Sequence, residues 1–265
     1  MNLKNKVIWL TGASSGIGEA LVYELAHRGA KLIISARRKI ELERVKSSCP
    51  AQSQGSIALL PLDLTQQNTL KLMVEAAISF FGHVDILVNN GGISQRSLAL
   101  NTSIDVYRKL MEVNYFGTIE LTRQLLPHFR ERKSGHIAVV SSLVGKFGTP
   151  YRSGYAATKH ALHGFFDSLR AEVYTENIKV TIICPGFIKT NVTLNALTEN
   201  GEKLNKMDEA QAKGMKADVF ARKMIRAIER EKNEVYIGGK EKYAVYLKRL
   251  FPNLFARILR KAKVR

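Results

Sequence analysis

The sequence predicts an α/β domain: a doubly wound, mostly parallel sheet of seven strands with helices on both faces. Short runs rich in Val and Ile alternate along the chain with longer amphipathic stretches. Within the runs, polar and apolar residues do not alternate, which is the pattern of strands buried on both faces. At 265 residues the chain is long enough to close one large core around such a sheet.

The strands are expected at residues 7–10, 32–35, 57–60, 86–88, 137–140 and 180–183, with a seventh at 234–237. Helices are expected at 17–28, 66–81, 104–132, 154–177 and 217–230. Gly29 supplies a natural stop for the first of them. This β-α-β order calls for right-handed crossovers. No linker, repeat or low-complexity segment divides the chain. Residues 1–240 read as the domain and 241–265 as a basic amphipathic extension.

The composition, 45% hydrophobic and 24% charged, is that of a soluble globular protein. Cys49 and Cys184 show no metal-ligand or disulfide spacing, so no metal is expected and a reducing, cytoplasmic setting is the default. Cys184, in an apolar run, reads as packing. No signal peptide is read at the N-terminus, where the apolar stretch 7–10 is too short for a membrane span. The net charge of +18 suits nucleic acid, anionic lipid or an acidic carrier. It leans toward the end of the chain, where residues 201–265 hold 18 Lys/Arg against 8 Asp/Glu. With no recognition motif beside that charge, nucleic acid fits poorly.

Between the first strand and the first helix stands Thr11-Gly12-Ala13-Ser14-Ser15-Gly16-Ile17-Gly18. Glycines here allow a tight turn and let a pyrophosphate approach the N–H groups and dipole of the helix. The second strand runs into Ser35-Ala36-Arg37-Arg38, with no acid from Ser35 through Lys39. An acid there would accept ribose hydroxyls, whereas arginine accommodates a 2′-phosphate. The cofactor expected is therefore NADP(H), with Arg37 as first phosphate ligand and Arg38 as second.

Tyr155 and Lys159 lie four residues apart and would share a helix face. A phenol ordinarily ionises near pH ~10. A nearby ammonium and an oxidised nicotinamide would both favour phenolate and bring it toward neutral pH.

The spacing T-G-x-x-x-G-x-G, followed in order by the motifs below, resembles the short-chain dehydrogenase/reductase family over roughly residues 4–237. The resemblance implies a Rossmann-type fold. It places Asp63 beside an adenine ring and Asn90, in Asn89-Asn90-Gly91-Gly92, at the cofactor, with Gly91 in place of the usual alanine. Ser142, thirteen residues before Tyr155, matches the catalytic serine that polarises the carbonyl, leaving Ser141 structural unless the two exchange roles. Asn114, in Asn114-Tyr115-Phe116-Gly117, matches the asparagine supporting a water that links the lysine to solvent. In Pro185-Gly186-Phe187-Ile188-Lys189-Thr190, Ile188 would lie against the nicotinamide and Thr190 would bond its carboxamide or the phosphate. The implied reaction interconverts a ketone and a secondary alcohol by hydride transfer. Tyr155 moves the proton, Ser142 holds the oxygen, and Lys159 holds the ribose.

The motifs around Asn114, Ser142, Tyr155 and Phe165 are similar to those of the hydroxysteroid-dehydrogenase-like, membrane-associated dehydrogenase/reductases. That implies a lipid-like or steroid-like substrate. Specificity is expected in residues 93–98, 143–152 and 191–215, where Leu143, Val144, Phe147, Phe187, Val192, Leu194 and Leu197 offer apolar surface. Relatives are commonly homodimers or homotetramers built on helices such as 104–132 and 154–177. In the extension, Tyr243, Tyr246, Leu247, Leu250, Phe251, Leu254, Phe255, Ile258 and Leu259 recur at helical spacing among Lys248, Arg249, Arg257, Arg260, Lys261 and Arg265. Pro252 interrupts or restarts the helix. Such a segment either lies peripherally on an anionic membrane or packs on protein. Two other readings stay open: a 3-oxoacyl-thioester reductase, and a noncatalytic NADP(H) sensor docking on membrane.

Overall fold

The computed structural model describes residues 1–262; Arg265, counted above in the basic extension, lies outside the described residues. The chain runs β1 (Val7–Thr11), α1 (Gly16–His27), β2 (Lys31–Ser35), α2 (Lys39–Ser47), a single turn α3 (Ala51–Gln54), β3 (Ile57–Leu59), α4 (Leu70–Phe81) and β4 (Ile86–Asn89). It continues with α5 (Ile104–Met111), α6 (Gly117–Glu131), β5 (Gly135–Val140), α7 (Ser153–Glu172) and β6 (Ile178–Pro185). Next come a two-residue strand β7 (Ile188–Lys189), a short α8 (Glu209–Ala212), its partner β8 (Met215–Lys216), α9 (Ala217–Glu229) and β9 (Glu234–Ile237). The extension forms α10 (Ala244–Leu250) and α11 (Pro252–Lys261).

Seven strands make one sheet in the order β3-β2-β1-β4-β5-β6-β9. Every pairing in it is parallel, from Val7 against Lys31 to Ile182 against Glu234. The order reverses between β1 and β4. At that point loops leaving the carboxyl ends of the strands diverge and open a crevice.

Period-two alternation divides the strand side chains between two cores. Ile8, Leu10, Leu32 and Ile34 face α1 and α9 through Leu21, Leu25, Phe220 and Met224. Val7, Trp9, Ile33, Ile137 and Val139 face α4, α6 and α7 through Val74, Leu125, Phe129 and Phe166. Both strand faces are therefore apolar, which is why the runs carry no polar alternation.

Several elements differ from the sequence reading. The helix expected over 104–132 is broken by one π-turn, Glu112–Phe116, that holds Asn114. The helix expected over 154–177 stops at Glu172 and gives way to a 3₁₀ turn, with Asn177 left-handed at φ 55°. The start expected at 66 is a 3₁₀ turn, Gln67–Thr69, before α4. Pro252 restarts the helix from its first turn, where a missing N–H costs nothing. In the extension Val245 and Phe255 join the second core, and Phe255 meets Phe147 edge to face at 5.2 Å.

Candidate active site

The turn after β1 is shaped for an anion. Gly12 has φ +67°, a left-handed conformation that favours glycine. A Cβ at Gly18 would stand 2.1 Å from the Gly12 carbonyl oxygen, so helix α1 approaches the turn closely only because that atom is missing. Ser15 precedes α1 in extended conformation and no side chain caps the helix. The N–H groups of its first turn, from Gly16 and Ile17 on, thus remain directed at whatever occupies the crevice. Ser14 is fixed by its carbonyl, which accepts from Arg44 Nη2 at 3.0 Å, and Arg44 is itself paired with Glu19 at 2.7 Å.

Around that turn the other expected cofactor residues take definite places. Asn90 Nδ2 donates to the carbonyls of Thr11 and Gly12, both at 3.1 Å, so it braces the turn from beneath. Thr190 reaches it from the opposite side: a Cβ at Gly16 would lie 3.2 Å from the Thr190 Cβ. A cavity of about 470 Å³ opens beside Thr190, between Lys189, Met207, Lys216 and Asp218. Arg37 and Arg38 are exposed just past β2. Arg38 pairs with Glu41 at 3.5 Å, while among the described residues no acid pairs with Arg37. Asp63 accepts from the N–H of Thr65 at 3.0 Å and from its hydroxyl at 2.9 Å.

Two members of the Pro185–Thr190 segment are held from unexpected directions. A side chain at Gly186 would stand 2.1 Å from Glu241 Oε1, which also accepts from the N–H of Phe187 at 3.1 Å. The start of the extension therefore clamps this loop. Ile188 is buried in the first core, and its carbonyl accepts from the Gln211 amide. Its side chain belongs to the core rather than to an open cofactor surface.

Asn114, Ser142, Tyr155 and Lys159 converge beside the crevice. Lys159 Nζ donates to the Val140 carbonyl at 2.8 Å and sits 5.6 Å from the centre of the Tyr155 ring. Burial pulls the ammonium down to about 8. Asn114, buried on the π-turn, accepts from the N–H of Ile93 at 2.8 Å and donates to the Ile93 carbonyl at 2.9 Å and to Thr158 at 3.1 Å. A turn wound one residue wider re-aims its side chain, and such turns recur at functional sites. Ser141 is buried and donates to the Lys159 carbonyl at 3.2 Å. Ser142 is half-buried and within hydrogen-bonding reach of the Tyr155 phenol. Its hydroxyl also accepts from the N–H of Val144 at 3.3 Å.

The phenol differs from the expectation. Burial pushes Tyr155 up, and the groups drawing it back are Arg96, Ser142 and Arg152 rather than Lys159. Sequence motifs did not single out either arginine. They also missed Gln95, whose side-chain oxygen accepts from the N–H groups of Gly154 and Tyr155. No local pattern marks these residues, because the partners that bring them together, Asp208 for the arginines and Gly154 for Gln95, lie 56 to 112 residues away.

The apolar residues expected to shape a substrate pocket divide. Leu143 and Phe147 are buried in the second core and Leu197 in a small cluster with Val106 and Leu110, so they pack. Phe187 and Leu194 are partly exposed and Val192 is exposed. Both cysteines are buried, and burial pushes each thiol up.

Comparison with known proteins decides the family, since the profile described as short chain dehydrogenase matches residues 6–201. The chain belongs to the short-chain dehydrogenase/reductase family. A Drosophila melanogaster protein named dehydrogenase/reductase SDR family protein 7-like is 43% identical, covering 99% of this chain and 82% of its own. The human dehydrogenase/reductase SDR family member 7 is 46% identical, covering 89% of this chain and 71% of its own. Among solved structures, a 3-ketoacyl-(acyl-carrier-protein) reductase from Brucella melitensis, complexed with NADH, superposes with TM-score 0.78. It is 26% identical and covers 91% of this chain and 99% of its own. The protein is thus an oxidoreductase of the short-chain dehydrogenase/reductase type, and its relatives named dehydrogenase/reductase SDR family member 7 agree with the subgroup its motifs resemble.

Proposed function

We propose that the protein is an NADP(H)-dependent reductase and dehydrogenase that interconverts a ketone and a secondary alcohol on an apolar, lipid-like or steroid-like molecule. The observation that carries the reading is the convergence of Ser142, Tyr155 and Lys159 beside the crevice behind Gly12–Gly18. The crevice fits a dinucleotide because its helix N-terminus is uncapped and its glycines let the turn and α1 pack more closely than a Cβ would allow. Gly12, Ser14, Ser15, Gly16, Ile17, Gly18 and Thr190 would hold the pyrophosphate. Asp63 and Asn90 would flank the adenosine end and the turn, and Pro185 and Gly186 would form the wall at the nicotinamide, with Ile188 packed in the core behind them. Arg37, exposed and with no acid paired to it among the described residues, supports a 2′-phosphate.

When bound, the cofactor supplies the hydride. Ser142 donates a hydrogen bond to the substrate oxygen and fixes it before Tyr155. Tyr155 gives its proton to that oxygen in reduction and takes it back in oxidation. Lys159 would hold the ribose, and Asn114, tied to Ile93 and Thr158, would keep the water that returns a proton to the site.

The extension supports peripheral contact with an anionic membrane. Its inner face is packed on the domain, while Leu250 is 68% and Phe251 57% exposed among Lys248, Arg249 and Arg257. Among the described residues no helix is long and apolar enough to cross a membrane. Exposed Ile104 and Phe116, on α5 and the π-turn, support self-association of the chain into a dimer or tetramer.

The test is NADPH oxidation against lipid ketones, carbonyl steroids, retinal and 3-oxoacyl thioesters, with Tyr155→Phe alongside. Turnover of a free lipid ketone that disappears in the variant is expected. Turnover confined to the thioesters would move the substrate to acyl chains, a reading favoured by the basic surface and the likeness to the Brucella reductase. Tight NADPH binding without turnover of any of them would favour a cofactor sensor.

A further inference from the structure

The proposed chemistry gives the extension no part, yet its first turn reaches the loop that leaves β6. Glu241, on the 3₁₀ turn Lys240–Tyr243, sets its carboxylate among three glycines from two segments. Gly186 ends β6, and Gly238 and Gly239 follow β9. A Cβ at Gly238 would stand 2.6 Å from Glu241 Oε1 and one at Gly239 2.8 Å from Oε2, and at Gly186 the space is tighter still. None of the three has a left-handed φ. Backbone freedom therefore does not explain why glycine stands at these positions, whereas room for the carboxylate does.

The seat is polar as well as close. Glu241 Oε1 accepts from the N–H of Gly239 at 2.9 Å and from that of Phe187 at 3.1 Å. The domain holds the neighbouring groups of the loop. The Gly186 N–H donates to the Ile237 carbonyl, and the Phe187 carbonyl accepts from the Met215 N–H, both at 2.9 Å. The Pro185 carbonyl accepts from the Ser142 hydroxyl at 3.4 Å. Bonds thus run from Glu241 to Phe187 and, two residues back along the loop, from Pro185 to Ser142.

Behind Glu241 the extension is anchored in the second core by Val245 and by Phe255, which meets Phe147 at 5.2 Å. The carboxylate hangs from a fixed support, which is what a group aligning reacting atoms requires.

We propose that Glu241 is a positioning residue. It fixes the Pro185–Phe187 loop so that Pro185 sets the Ser142 hydroxyl and Phe187 borders the substrate, which makes the extension part of the active site. This rests on Ser142 holding the substrate oxygen. The bond to Phe187 needs an acceptor at Oε1 rather than a charge. Glu241→Gln therefore keeps it, while Glu241→Ala leaves a backbone N–H without its acceptor.

The test reads the loop directly by hydrogen exchange at the Phe187 amide, beside kcat and the isotope effect on kcat with NADPH deuterated at the transferred hydrogen. Glu241→Ala is expected to speed the exchange at least about tenfold. It should lower kcat about tenfold and raise the isotope effect, because misalignment slows the hydride step itself. Glu241→Gln is expected to restore all three; a Gln variant that behaves like Ala overturns the proposal. Val173→Ala, at the far end of α7, is the stability control: it should lower Tm and leave the isotope effect unmoved. A Glu241→Ala protein that loses Tm but keeps the parent kcat and isotope effect would make Glu241 scaffold, and the proposal fails. Should Glu241→Ala not fold, Glu241→Asp, whose shorter side chain draws the oxygen away from Phe187, carries the same expectations. Amide exchange needs no substrate. A parent protein that turns over no ketone would refute the role of Ser142, while an unaltered Phe187 exchange in Glu241→Ala would refute that of Glu241.

Discussion

Gln95 holds the helix turn that carries Tyr155: its side-chain oxygen accepts from the Tyr155 N–H at 3.2 Å and from the Gly154 N–H at 2.8 Å. These are two of the donors that a helix start leaves unpaired. The amide nitrogen of Gln95 donates to Ser97 at 3.0 Å and Thr102 at 3.1 Å, so the side chain is fixed at both ends. Gln95→Ala is expected to cost about 1–3 kcal/mol of stability, because buried N–H groups lose their acceptor. It should also lower kcat by about tenfold, since a displaced phenol misses the reacting oxygen. Urea unfolding and steady-state kinetics check both, and an unaltered kcat would reduce Gln95 to scaffold.

Gly18 tests the fit of the crevice. Its missing Cβ would stand 2.1 Å from a backbone oxygen that no rotamer change can move. Gly18→Ala is expected to destabilise the protein by about 1–3 kcal/mol. NADPH affinity should fall at least about tenfold as the helix withdraws from the pyrophosphate, by the differential worth of one or more charged hydrogen bonds. Fluorescence titration with NADPH reads this directly.

Arg37 tests the choice of cofactor. Losing a charge-assisted hydrogen bond costs about 1.5–3 kcal/mol, or about 10- to 100-fold in affinity. Arg37→Ala is expected to lose that much toward NADPH and nothing toward NADH. Arg38→Ala should lose less, since Glu41 already engages Arg38 at 3.5 Å. Paired titrations with the two cofactors separate the outcomes, and tighter NADH binding by the unaltered protein would refute the argument.

His136 predicts an acid sensitivity outside the site. Burial, with Lys179 nearby, lowers it from 6.5 to about 4, and its Nε2 is 2.8 Å from Thr181 Oγ1. The unfolded chain takes up the proton first, so this residue's contribution is complete above pH 6.5 and is lost as pH falls to about 4. The loss amounts to about 3 kcal/mol across that window. His136→Gln is expected to flatten the dependence of the urea midpoint between those limits, and an unchanged slope would refute it.

Strand positions were legible in the sequence because a strand buried on both faces needs a continuous apolar run, and Val7–Thr11 or Ile137–Val140 leave no other use for such residues. The ends of elements were less so. Nothing local to Glu112–Phe116 marks the π-turn, which depends on the pairing of Asn114 with Ile93 and Thr158 across the fold. The extension shows the same division: its sequence contains two apolar faces, and only docking decides that Val245 and Phe255 turn inward while Leu250 and Phe251 remain outside.

The sequence by itself determined the alternation of strands and helices, the glycine turn and the family motifs, because these depend on residues within one or two turns of each other. Only the tertiary structure decided that Arg96 and Arg152 meet on one oxygen of Asp208. The two arginines stand 112 and 56 residues from that carboxylate along the chain, and an electrostatic interaction depends on distance through space and on the water excluded between the charges.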